Sequence, residues 1–471
     1  MMRLATVLAA AAAVAEVAAL SASGLTVQTT GGTVQGYETD LAYAFTSIPY
    51  AKPPVGYSGG VLYDCSVLVS EQNFVCVTIN YRLGALGFLY TGTDGDSITG
   101  NFGMLDQQLA LQWVASNAAA FGGDPANVNI FGQSAGAVSV ALHNVAPSSK
   151  GLFNRTLMMS MPFSLPLRTP DTWKPLADSY IKHAGCSTGL IKNIAKEIEC
   201  IRALPADKLV EAQVAAEHDI LDEYKRAVEL FLPWTPTLGS DLVPVSPIDA
   251  FHSGQLPDPS KPVIATTVEN EAVLFVWQAF TKPMSSLEYD LLVDVIFAGS
   301  GGKVKKQFPL PDNMKTDARP WLAHIATFGL LVCPTRYAMA GMTAPAYVGH
   351  FDHVMSFGKA IWGPDYTECD DVVCHGSDLV PLFRPDPADI GGQYTPAEVA
   401  LSQSMQTYAG SFFHDGVPAP PATGVDAGLT WPRFNMTQQM YMQYQTPANV
   451  QTSHTYETEC GFFDSIGYHF Y

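Results

Sequence analysis

Residues 74–81 (FVCVTINY) form a β-branched apolar run, the pattern of a strand buried on both faces of a parallel sheet. Residues 104–119 carry Leu105, Leu109, Leu111, Trp113 and Val114 at mixed helical spacing and predict a helix. Residues 128–131 (VNIF) predict a short strand, and residues 137–145 a helix directly after it. Further apolar runs at 157–159, 263–266 and 346–350 predict three more strands. Strand–helix alternation of this kind argues for an α/β chain with a mostly parallel sheet covered on both faces. The stretch from Pro418 to Pro421 reads as a loop rather than a domain linker, and residues 24–471 are expected to form one domain.

Composition fits a large core. Of 471 residues, 47% are hydrophobic and only 15% charged, which excludes a disordered chain. The formal charge of −19 repels nucleic acid and anionic lipid, so neither is an expected partner. Residues 1–23 begin with a positive Arg3, continue as an Ala/Val/Leu run and end on Ser21, Ala22 and Ser23, the pattern of a secretory signal peptide. No later run is apolar and long enough to predict an integral membrane segment. Export implies an oxidising compartment for the cysteines at 65, 76, 186, 200, 333, 369, 374 and 460. None of their spacings suggests a zinc site, and neither metal nor cofactor is expected. Asn154 and Asn435 each open an Asn-X-Thr sequon and are candidate glycosylation sites.

Gly132-Gln133-Ser134-Ala135-Gly136 fits G-x-S-x-G between a predicted strand and a predicted helix. In that setting the serine sits on a strained turn that lifts its hydroxyl clear of the sheet. Side chains at the two glycine positions are expected to clash with neighbouring elements. The helix N-terminus beneath favours negative charge, and the Ala135 N–H is a candidate donor to an oxyanion.

The run NFGMLDQQLALQWVASNAAAFGGDPANVNIFGQSAGA (101–137) resembles type-B carboxylesterases and lipases, especially their secreted fungal members. VTINYRLGALGFL (77–89), residues 31–56 and the C-terminal CGFFDSIGY (460–468) extend the resemblance over nearly the whole mature chain. It implies an α/β-hydrolase fold and hydrolysis of small-molecule or lipid carboxylic esters, and leaves the oligomeric state open. His375, in Cys374-His375-Gly376-Ser377-Asp378-Leu379, is similar to the family's catalytic histidine in Cys-His-Gly-Ser-Glu-Leu. Glu271 matches the family's catalytic glutamate, with Ala272 in place of a glycine; Glu269 is the bland alternative, a solvated loop charge. Gln133 stands where cholinesterase-like members carry glutamate, which argues against a choline ester specialist.

Two features depart from or extend that pattern. Val55-Gly56 runs straight into Tyr57-Ser58-Gly59-Gly60-Val61-Leu62-Tyr63-Asp64, and no His-Gly-Gly-Gly occurs. The resemblance then implies an internal deletion of the oxyanion loop and of a strand inside the sheet, with Gly59 and Gly60 as weak replacement donors. Among the cysteines, Cys186 with Cys200 and Cys333 with Cys460 resemble family disulfides. Cys369 and Cys374 flank a short acidic loop and are placed to brace His375, while Cys65 and Cys76 stay unassigned. The alternatives to an enzyme are a non-catalytic binding or adhesion protein on the same fold, and a defective product of a gene model missing one exon.

Overall fold

The computed structural model describes residues 25–45, 48, 63–223 and 233–470. The expected signal peptide and the glycines Gly59 and Gly60 lie outside the described residues. Two antiparallel hairpins come first, β1 (Thr26–Thr29) with β2 (Gly32–Gln35), then β3 (Tyr37–Glu38) with β4 (Tyr43–Ala44). The main sheet holds β5 (Asn129–Gln133), β6 (Arg155–Met159), β7 (Val263–Val268), β8 (Ala346–Phe351), β9 (Met440–Tyr444) and β10 (Val450–Ser453). Their spatial order is β10-β9-β8-β7-β6-β5; the pairings from β5 to β9 are parallel and β9 with β10 is antiparallel.

The period of two along each strand divides the core. Leu157 and Met159 of β6, Ile264 and Val268 of β7, and Tyr347 and Phe351 of β8 face one layer, where Leu401, Met405, Tyr408 and Phe412 of the helix Pro396–Asp415 cover them. Met158, Val263, Ala265, Ala346 and Val348 face the other, with Ala137, Val140 and Ala141 of the helix Ala135–Val145. Every residue of β7 and β8 is buried, as expected of central strands sealed on both faces. Burial of each such large side chain contributes about 1.5–3 kcal/mol.

The run at 74–81 is where pattern and structure part. It forms no strand, although its composition predicts one. It passes alongside β5 instead: Phe74 packs on Phe413, which also packs on Phe131 of β5, and Tyr81 ends beside Ser139 of the next helix. Among the described residues β5 has a strand partner on one side only, and all five of its residues are half-buried. A β-rich segment without a neighbouring ladder cannot satisfy its backbone as a strand, which is the physical reason the expectation fails.

Four disulfides staple the chain: Cys186–Cys200, Cys333–Cys460, Cys369–Cys374 and Cys65–Cys76. The last joins the two cysteines that the sequence left unassigned. The sequon residues Asn154 and Asn435 are both exposed. Among the described residues no helix is long and apolar enough to cross a membrane.

Candidate active site

β5 ends at Gln133 and the helix Ala135–Val145 starts two residues on, so Ser134 alone must turn the chain. It does so at φ 56°, ψ −119°, a left-handed conformation that costs a side-chain-bearing residue about 1–3 kcal/mol. Flanking bonds hold it there: Ser134 N–H donates to Met159 O at 2.9 Å, and Val138 N–H donates to Ser134 O at 2.9 Å. A Cβ on Gly132 would lie 2.4 Å from the carbonyl carbon of Gly136, so the helix can approach the strand only over a glycine. Gly136 differs from expectation: a Cβ there meets no described atom within 4 Å, because it points away from the strand–helix contact. Ala135, the first helical residue, is exposed, and its N–H is one of the amides that a helix leaves without an internal acceptor.

Glu271 follows β7 and is fully buried. Its Oε1 accepts the Val268 N–H at 2.9 Å and its Oε2 accepts Nδ1–H of His375 at 2.5 Å. One carboxylate oxygen is thus spent on its own turn and the other on the imidazole, which fixes the ring's tautomer and orientation. The Phe275 ring packs edge-on against His375 at 4.8 Å. His375 Nε2 is buried and has no hydrogen-bond partner among the described residues. Gly376 needs its glycine for φ 90°, and a Cβ there would lie 3.7 Å from Nε2 of Gln133. The residue after the histidine therefore abuts the residue before Ser134, so the ends of β5 and of the histidine loop meet. The structure joins an imidazole to a buried carboxylate and lays the residue after His375 beside the residue before Ser134; no hydrogen bond joins Ser134 Oγ to His375 Nε2.

Two further carboxyls lie near this centre: Asp378, which the sequence offers only as part of the histidine motif, and Glu269, which it offers as a solvated loop charge. Asp378 is fully buried, and burial, then the charge of Glu271, pushes its carboxyl up to about 7. It also lines a cavity of about 20 Å³ with Leu157, Met159, Ile264 and Thr266, room for a water but not for an ester. Glu269 is not merely a solvated charge. His350 Nε2 lies 2.8 Å from its Oε2, and the Tyr456 hydroxyl donates to the same oxygen at 2.6 Å. Burial pushes Glu269 up, but these bonds outweigh it and hold the carboxyl below its usual value. The only sequence signal for either was proximity to a motif. Among the described residues no cluster of His, Cys, Asp and Glu is placed to hold a metal ion.

This fold, with a strained serine at the strand–helix turn, defines an α/β-hydrolase. A solved structure titled as a thermophilic pNB esterase has the same architecture, with a TM-score of 0.75 at 21% identity, covering 93% of this chain and 99% of that one. Residues 57–463 match the Carboxylesterase family, and the chain belongs to it. Its relatives include the cAMP-regulated D2 protein of Dictyostelium discoideum, 29% identical over 89% of this chain and 74% of that protein. The acetylcholinesterase of Bungarus fasciatus is 30% identical over 84% of this chain and 65% of its own length. The bile salt-activated lipase of Mus musculus is 29% identical over 76% and 59%. The chain is a carboxylic ester hydrolase by family.

Proposed function

We propose that the chain is a secreted, glycosylated serine esterase or lipase in which Ser134, His375 and Glu271 act as nucleophile, base and acid. Ser134 Oγ attacks the ester carbonyl carbon while its proton passes to His375 Nε2; the imidazolium is stabilised by Glu271. The tetrahedral intermediate collapses, the C–O bond to the alcohol breaks, and the proton on Nε2 goes to the leaving alkoxide. Water then attacks the acyl-enzyme, giving its proton to Nε2, and carboxylic acid leaves as Ser134 recovers the proton. The Glu271–His375 bond at 2.5 Å, with Nε2 left open, is the observation that carries this reading.

The oxyanion side is the weak half of the machine. Ala135 N–H is one donor; the glycine loop that supplies the others in relatives is deleted between Gly56 and Leu62. Among the described residues β5 pairs on one side only and the run at 74–81 joins no ladder, which supports the omission of a strand between them. Each missing donor costs about 3–4 kcal/mol of transition-state stabilisation, a hundred- to thousandfold in rate.

The test expresses residues 24–471 and treats them with a serine-directed organophosphonate, with p-nitrophenyl esters as substrates. The expected result is a single label on Ser134 and slow turnover that Ser134→Ala abolishes. Turnover unchanged in Ser134→Ala overturns the reading. A folded, monodisperse chain with neither label nor turnover points to a binding protein instead.

A further inference from the structure

The acid and the base come from loops 104 residues apart in sequence, and something must set their register. The disulfide Cys369–Cys374 does not: it closes the histidine loop on itself and places no restraint on its distance from Glu271. Asn270 does. Its N–H donates to Val373 O at 3.0 Å, and the Val373 N–H donates back to its side-chain Oδ1 at 3.1 Å. Asn270 and Cys374 are also paired as an isolated parallel bridge. One residue, adjacent to the acid, therefore takes both backbone groups of a residue two positions before the base. Val373 is 3% exposed and Cys374 is fully buried, so water is a poor substitute for these bonds.

We infer that Asn270 is a positioning residue: its side-chain carbonyl registers the histidine loop against the turn carrying Glu271, and so sets the Nδ1–carboxylate bond. The inference rests on the assignment of Glu271 and His375 above. The turn uses each of its neighbours differently. Glu269 is held by His350 and Tyr456, Glu271 by Val268 and His375, and the Ala272 N–H by Thr327 Oγ1 at 3.1 Å. Of these, the Glu271–His375 bond alone reaches the histidine loop, and it is the bond to be positioned. A reacting group displaced by about 1 Å loses on the order of a hundredfold in rate, so a register tie here acts on turnover before it acts on folding.

Three variants and two readouts test this. Asn270→Leu has similar volume and no acceptor, Asn270→Ala removes the group, and Asn270→Asp restores an oxygen at the Oδ1 position. Substrate turnover is measured with a soluble p-nitrophenyl ester, and the resting enzyme is examined by proton NMR for the downfield resonance of His375 Nδ1–H. Asn270→Leu and Asn270→Ala are expected to lower kcat by about ten- to a hundredfold with little change in KM, and to shift or broaden the downfield resonance. Asn270→Asp is expected to recover most of the kcat and the resonance. Unchanged kcat and resonance in Asn270→Leu overturn the proposal, as does a loss that Asn270→Asp fails to reverse. The NMR arm needs no turnover. If the wild type proves inactive, or Ser134→Ala leaves activity intact, the esterase mechanism fails while the resonance still decides the role of Asn270.

Discussion

Asp378 lies buried against Glu271, and two carboxyls in one apolar setting cannot both ionise cheaply; Asp378 is the one whose proton is retained, to about pH 7. The folded chain thus holds a proton that the unfolded chain releases near 3.8. This raised value contributes stability that is complete below about pH 4 and is lost as pH rises towards 7, by on the order of a few kcal/mol. Asn in its place carries no charge at any pH. Thermal melts of Asp378→Asn and wild type across pH 4.5–8 are expected to diverge, with the variant gaining relative stability as pH rises. Parallel curves would mean that the Asp378 carboxyl ionises as freely in the fold as out of it.

Glu271 serves two donors at once, Val268 N–H and His375 Nδ1–H. A glutamine has one acceptor oxygen and must leave one of them facing an NH2. Glu271→Gln is therefore expected to lower kcat by about 10³–10⁴, through the wrong tautomer or a misdirected ring. It should also cost about 1–3 kcal/mol of stability for the unpaired buried donor. Steady-state kinetics and chemical denaturation on the same preparation check both. A variant within tenfold of wild type would remove Glu271 from the mechanism.

The two elbow glycines are expected to behave differently despite their symmetry in the motif. Gly132→Ala forces a methyl to within 2.4 Å of the Gly136 carbonyl carbon and must push helix and strand apart, at about 1–3 kcal/mol or more. Gly136→Ala meets no described neighbour and should be tolerated. Melting temperature and the rate of organophosphonate labelling at Ser134 separate them; equal damage from both substitutions would contradict this geometry.

Much of this centre was legible because it is local. Gly132, Ser134 and the alternation of 128–145 report the elbow by short-range pattern, while His375 and Glu271 were reached only through their resemblance to the family's motifs. Strands at 157–159, 263–266 and 346–350 were visible because central parallel strands are apolar throughout, and the structure extends them to Arg155–Met159, Val263–Val268 and Ala346–Phe351. The run at 74–81 misled because composition reports a preference for a pleated, buried setting and not whether a partner strand exists. Cys65–Cys76, Asn270 and the Glu269–His350–Tyr456 cluster were illegible for a related reason: each depends on which distant segments meet, which no window of sequence contains.

His143 couples the helix Ala135–Val145 to the helix Phe102–Asn117. Its Nε2 lies 2.9 Å from Gln107 Oε1 and its Nδ1 2.9 Å from Ser149 Oγ. Burial, and then the charge of Lys261, lowers its pKa from 6.5 to about 4, so the folded chain keeps it neutral where the unfolded chain would protonate. A depressed value contributes stability that is present above about pH 6.5 and is lost as pH falls to 4, the reverse of Asp378. His143→Gln gives up part of the bonding and is expected to melt lower than wild type at pH 7.5. Its side chain does not titrate, so that deficit should shrink on acidification, while the advantage of Asp378→Asn shrinks over the same range. Melts of both variants on one pH series, each subtracted from wild type, should therefore slope in opposite directions. If the His143→Gln deficit stays constant from pH 7.5 to pH 4.5, the imidazole is not held neutral by burial.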